Sequence, residues 1–285
     1  MRRALSVIGL VVAVVLATAV PATAAPAAVP TAAKPVGYHA AKGIPPFGRA
    51  GAAARPDSGP FPPTVFLYAD TAQFATAAGT FANITVEQPV VGPQDFHSNA
   101  EVAAESADGQ QIVEIGWIVD HNLNGDGLPH LFVFHWVDGV GACYNGCGWV
   151  PAAGGRFVAG QALPVGATMR FAIQHVIGPV PGWQLSLNGS PFGEFPDSLW
   201  NGTYTQIGLA QWFGEVAASA SQPPCTQMGD GQFASSSTAA QFSGVGFVNG
   251  PATSFLQPVV TNPALYTFAQ TAPNAFRFGG PGSSC

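Results

Sequence analysis

Eight short runs rich in apolar, β-branched and aromatic residues recur along this chain, and they constrain its fold more than any other feature. They are TVFLYA, QIVEIGWIV, HLFVFHWV, TMRFAIQHV, WQLSLN, TQIGLAQWFGEV, AAQFSGVGFV and LYTFAQ. Such runs suit a pleated surface, where side chains alternate between two faces. Between them stand turn pairs that tolerate left-handed backbone, among them Asn124-Gly125, Asp138-Gly139, Asn145-Gly146, Asn188-Gly189 and Asn201-Gly202. No window keeps a helical period for more than two turns. The stretch 71–80, TAQFATAAGT, comes nearest to a helical pattern, and its period is weak. Short strands with tight turns and no strand–helix alternation predict an all-β domain, an antiparallel β-sandwich or barrel, and a curved sheet of such strands would make a concave cleft.

Two of the six glutamates interrupt this pattern. Glu114 sits inside QIVEIGWIV and Glu215 inside LAQWFGEVA. An ionised carboxylate in an apolar strand is costly unless it has a partner or a task. Strand parity puts Ile112, Glu114, Gly116 and Ile118 on one face, and Gln211, Phe213 and Glu215 on one face of the other run. Gly116 and Gly214 leave room beside the carboxylates. Two carboxyl groups facing one hollow can hold split protonation states, the arrangement that general acid–base chemistry on water requires.

The ends of the chain differ from its middle. Arg2 and Arg3, an apolar run from Ala4 to Val20 and the small exit Ala22-Thr23-Ala24 predict a secretory signal peptide over 1–24. Residues 25–60 contain 11 Ala, 7 Pro and 5 Gly and read as a propeptide or linker. Residues 61–285 are long enough for one large β domain. Both lysines, Lys34 and Lys42, lie in the 25–60 segment; beyond residue 60 three arginines face fourteen carboxylates, a formal charge of −11 with His neutral. That excludes nucleic acid and anionic membrane as partners and favours tolerance of acid, because protonation leaves few positive charges to repel one another. A basic segment before an acidic domain also fits a masking propeptide, held by charge and released on acidification. Export implies two disulfides from the four cysteines, with three pairings open. Cys143 and Cys147 are close enough to clip a turn, which leaves Cys225 with Cys285.

Other signals are weaker. Asp120 to Gly127 starts like an EF-hand calcium loop, but its twelfth position is Leu131, where a chelating Glu belongs. Cys-x-x-x-Cys lacks the further ligands of a zinc site, and His121, His130 and His135 share no metal-binding spacing, so no metal or cofactor is expected. Gly-x-Ser-x-Gly is absent and no cysteine is left over, which disfavours serine and cysteine nucleophiles.

Where the glutamates sit, the chain resembles the neprosin family of secreted glutamic endopeptidases that cut after proline. The resemblance is carried by VEIGWIVDHNLNGDGLPHLFVFHWVDG, then CYNGCGWV, then QWFGEVA, in which Phe213 stands where the family has Gly. It runs over about residues 65–285 and implies a β-sandwich in which Glu114 and Glu215 are catalytic. Trp117, Trp136, Tyr144, Gln211 and Trp212 are then candidates for contacting substrate. The implied partner is a proline-rich peptide or protein, met by a monomeric secreted enzyme. One glutamate would act as base on the attacking water and the other as acid, giving a bell-shaped profile in the acidic range. A β-sandwich glycoside hydrolase using two carboxylates and a non-catalytic secreted binding domain are the competing classes.

Overall fold

The structure, a computed structural model, describes residues 42–47 and 63–285. The signal-peptide expectation therefore lies outside the described residues, as does most of the Ala/Pro-rich segment. In chain order the first strands are β1 (Thr64–Ala77), β2 (Gly79–Thr85), β3 (His97–Glu105), β4 (Ile112–Val119) and β5 (His130–Val137). Short pairings β6 (Val140–Gly141) and β7 (Val150–Pro151) follow, then β8 (Thr168–Val176), β9 (Gly182–Leu187) and β10 (Ser190–Pro196). The chain ends with β11 (Ile207–Ser219), β12 (Gln241–Val248), β13 (Val259–Val260), β14 (Thr267–Ala272) and β15 (Ala275–Gly279).

These strands make two antiparallel sheets, as the turn-punctuated sequence predicts. One has the order β13-β1-β11-β3-β4-β5-β6, the other β14-β15-β12-β2-β8-β9-β10-β7. The stretch 71–80 is not a helix. It forms the end of β1 and the start of β2, through which the chain passes from one sheet to the other. Its alanines favour a helix in isolation, but pairing with β11 and β8 overrides that preference. Regular helix among the described residues is limited to the turn His121–Asn124 and a 3-10 turn at Asp197–Trp200.

The core lies between the sheets. Val113, Ile115, Trp117 and Val119 of β4 meet Phe171, Ile173, Trp183 and Leu185 of the second sheet, all fully buried. Burying a side chain of this size stabilises the fold by about 1.5–3 kcal/mol. The opposite face of the first sheet is buried as well, against a second apolar cluster that includes Tyr68, Ile118, Phe132, Phe134, Trp136, Tyr144 and Phe213, with Ile44 packed on it. A sheet covered on one side by its partner and on the other by loops and a strap of chain explains why all eight residues of β4 are buried. This second face carries the polar groups that define the site.

The disulfides are Cys143–Cys147 and Cys225–Cys285. The first closes a tight turn in which Asn145 has a left-handed φ of 57°. Asn145 exchanges bonds with Val133, its N–H donating to the Val133 carbonyl at 3.0 Å and its Oδ1 accepting the Val133 N–H at 3.0 Å. The clip thereby holds Tyr144 against Phe134, ring centroids 4.9 Å apart.

Candidate active site

Glu114 lies on β4 and Glu215 on β11, with β3 between them. Strand parity turns both carboxylates onto the second face, and both are fully buried. They reach a common point: the Lys42 ammonium is 3.5 Å from Glu114 Oε2 and 3.6 Å from Glu215 Oε2. The two oxygens are therefore no farther apart than the sum of these distances. Among the described residues neither oxygen has a hydrogen-bond partner.

A third carboxylate, Glu101, completes the cluster. On β3 it pairs in register with Phe213 of β11 and Gly116 of β4, placing it between the strands that carry the other two glutamates. Lys42 donates to its Oε1 at 2.6 Å. Gly116 is required by this arrangement. A Cβ there would lie 2.2 Å from the Ala100 carbonyl oxygen and 2.7 Å from Glu101 Cβ.

The surroundings drive the two glutamates apart. Burial pushes the Glu114 carboxyl up to about 7, with Glu215 adding to the rise and Lys42 and the Trp136 N–H opposing it. Trp136 Nε1 donates to Glu114 Oε1 at 3.1 Å. For Glu215 burial also disfavours charge, but Lys42 and the His97 hydrogen bond outweigh it and bring the carboxyl down to about 2. His97 Nε2 lies 2.7 Å from Glu215 Oε1. Glu101 is held well above the usual carboxylate range by burial, which outweighs Lys42, with Glu114 and Glu215 adding to the rise. Burial works against charge on Lys42 too, yet the three glutamates together raise its pKa.

The sequence candidates divide by face. Trp136, Tyr144 and Gln211 lie in the hollow with the glutamates. Gln211 donates to Glu105, and it also holds the backbone of Phe47 at both its N–H (3.0 Å) and its carbonyl (3.1 Å). Trp117 and Trp212 do not belong there. Each is one residue out of phase with the face they were expected to share, so their rings fill the core and their indoles donate to Thr85 and Thr80 of the second sheet. Asp120 accepts the N–H groups of Asn122 and Leu123 as a helix cap, and Asp126 meets His130 at 2.8 Å, so the calcium-like run is a self-bonded turn.

Glu101, His97, Tyr68 and Lys42 are site residues that the sequence reading missed. Alternation within HSNAEVAAE would have put His97 and Glu101 on one face, had that run been read as a strand. Tyr68 stands opposite Glu215 in the β1–β11 register and donates to the Ile44 carbonyl at 3.1 Å.

The neprosin family model matches residues 94–281. Among solved structures the chain is similar to scytalido-glutamic peptidase with a transition-state analog inhibitor, at 10% identity and TM-score 0.45, covering 76% of this chain and 99% of that one. It is also similar to SCP-B, a member of the eqolisin family of peptidases in complex with the tripeptide Ala-Ile-His, at 9% identity and TM-score 0.37, with the same coverage. The matched span holds Glu101, Glu114 and Glu215 and takes in well over half of the chain, which belongs to the neprosin family.

Proposed function

We propose that this chain is a secreted, acid-active glutamic endopeptidase that hydrolyses peptide bonds, with a preference for cleavage after proline. The observation that carries the proposal is the convergence of Glu114 and Glu215 on one point from oppositely tuned surroundings. Two carboxyls whose environments separate their protonation supply an acid and a base to one bound water. Glu215, whose ionised form the His97 hydrogen bond favours, takes a proton from the water as its oxygen attacks the scissile carbonyl carbon. Glu114, the group with the raised pKa, hydrogen-bonds the developing oxyanion and then gives its proton to the leaving nitrogen as the C–N bond breaks. The Tyr68 hydroxyl, which donates to the Ile44 carbonyl at 3.1 Å, would donate to the same oxyanion. The aromatic lining of Phe134, Trp136, Tyr144 and Phe213 offers apolar surface to a proline ring. The signal-like leader and two disulfides support export.

Digestion of a defined proline-containing peptide at acidic pH, read by mass, tests the proposal. Cuts after proline are expected, and Glu114→Gln or Glu215→Gln should lower kcat by about 10²–10⁴-fold. Full peptide hydrolysis by either variant would sink the assignment. Release of sugar from polysaccharide with no peptide cleavage would favour the glycosidase class instead.

A further inference from the structure

One point in the hollow lies within reach of three carboxylates. The Lys42 ammonium marks it, donating to Glu101 Oε1 at 2.6 Å and lying 3.5 Å from Glu114 Oε2 and 3.6 Å from Glu215 Oε2. Two aromatic rings wall the same point, their centroids 5.6 Å (Phe213) and 6.0 Å (Phe132) from the ammonium. Phe213 and Gly116 are the in-register neighbours of Glu101, and Phe132 pairs with Gly116 on the far side. Register therefore sets Glu101 in the middle of this row, with a ring toward either flank and, at Gly116, no side chain to cover it. Glu101 is fully buried, and its second oxygen, Oε2, has no hydrogen-bond partner among the described residues. A buried carboxyl oxygen in that state is costly unless a ligand of the site completes its bonding.

We propose that Glu101 is a third catalytic residue, the acceptor that orients the hydrolytic water between Glu114 and Glu215. This rests on the peptidase reading of the same site. The ammonium nitrogen stands in for the water oxygen, a tetrahedral donor atom of similar size at the same meeting point. An ammonium shares three N–H groups among three carboxyls, whereas a water has only two O–H groups. In the proposed reaction Glu114 is protonated and faces the substrate carbonyl, so two acceptors remain for the water, Glu215 and Glu101. Donors and acceptors then match in number. With one hydrogen bound by each carboxyl, a lone pair of the water is left to aim at the scissile carbonyl carbon. A water held by Glu215 alone is free to turn about that single bond and lose its aim.

The step balances without a further partner. The hydrogen facing Glu215 leaves as a proton while the oxygen–carbon bond forms. The hydrogen facing Glu101 stays on the oxygen and ends in the new carboxyl group. Glu114 supplies the proton that the departing nitrogen needs. Glu101 thus gives and takes no proton, and has only to present a carbonyl-type oxygen. Its surroundings suit a neutral carboxyl: burial holds its pKa well above the usual carboxylate range against the pull of Lys42, with Glu114 and Glu215 adding to the rise. The remaining ionisable group set against it is Asp70 of β1, itself raised by burial first and by Glu105 and Glu101 after it.

The test uses the full chain and compares Glu101→Gln, which keeps a carbonyl acceptor, with Glu101→Met, which keeps the length and loses the acceptor. Glu101→Leu repeats the loss in a second shape. Each is also made together with Lys42→Met, so that the missing Lys42 contact is common to the comparison. Near-ultraviolet circular dichroism checks that each variant folds. On a defined proline-containing peptide at acidic pH, the Met and Leu variants should lose about 10–10²-fold in kcat, with KM within about threefold of wild type. Glu101→Gln should retain kcat to within about fivefold. It should also keep both limbs of the pH profile in place, because a neutral amide replaces a neutral carboxyl. Wild-type kcat in the Met and Leu variants would overturn the proposal, and so would equal losses in Gln and Met. A displaced limb in the Gln variant would overturn it too, by showing that Glu101 titrates during the reaction. A wild type that cuts no peptide removes the peptidase reading and this inference together, whereas losses confined to Glu114→Gln and Glu215→Gln remove this inference alone.

Discussion

At the scale of single residues, the site separates the protonation of Glu114 and Glu215 through different neighbours, and those neighbours can be changed one at a time. Trp136 donates to Glu114, and this bond favours the ionised carboxylate. His97 does the same for Glu215. If Glu114 acts while protonated and Glu215 while ionised, the alkaline limb of the activity profile belongs mainly to the first and the acid limb mainly to the second. Trp136→Phe should then move the alkaline limb up by about half to one pH unit and leave the acid limb in place. His97→Gln should move the acid limb up by a similar amount and narrow the bell. A kcat profile against pH for both variants reads this directly. Both variants shifting the same limb would show that the roles are assigned wrongly. The pair itself was legible in the sequence, since a glutamate flanked by Ile, Trp and Gly on a strand has few other uses. Glu101 was not, because alanine and small polar neighbours give its run no strand signature.

At the scale of elements, that difference explains what could be read from the chain. Strands β4, β5 and β11 carry Ile, Val, Phe and Trp and declare themselves. Strand β3, HSNAEVAAE, is as deeply buried as any of them, yet its residues have weak strand preference. It is a strand because β4 and β11 pair with it along its length. The stretch 71–80 fails in the opposite sense, with helix-favouring alanines held extended by their neighbours. Tryptophans were assigned to the hollow by residue type, and alternation sends Trp117 and Trp212 to the core instead. The element-scale device that keeps β3 and β4 in contact is Gly116. Gly116→Ala should force its Cβ into the Ala100 carbonyl, where only backbone can yield, and destabilise the domain by about 1–3 kcal/mol. It should also displace Glu101 and loosen its contact with Lys42. Denaturant unfolding measures the first effect and hydrogen exchange at residues 42–47 the second. An alanine variant of unchanged stability would mean that the two strands separate more easily than this register implies.

At the scale of the molecule, the same burial that tunes the site sets how the whole fold responds to acid. Burial holds Asp70, Glu101 and Glu114 above the ordinary carboxylate range, and Glu87 is raised for the same first reason. Neither carboxyl oxygen of Asp70 has a hydrogen-bond partner among the described residues. A carboxyl with a raised pKa binds its proton more tightly in the folded chain than in the unfolded one. Between those two values, stability therefore increases as pH falls. Other groups work the other way, Asp126 among them and only below the ordinary aspartate value. His135, buried and lowered to about 4, weakens the fold as pH drops from its ordinary range toward that value. Glu215, lowered to about 2, does so only below the ordinary glutamate value. Four raised carboxyls against one histidine leave a net gain between neutrality and about pH 5, before Glu215 begins to count. The thermal midpoint should accordingly be higher near pH 5 than at pH 7, the reverse of a protein held together by surface ion pairs. Asp70→Asn, which removes one of the raised carboxyls without changing its size, should raise the midpoint at pH 7 and flatten the dependence. Differential scanning calorimetry of both proteins across this range decides the matter. A midpoint that declines steadily from pH 7 to pH 5 in wild type would show that the buried carboxylates are already compensated at neutrality, and the tuning inferred for the site would lose its physical basis.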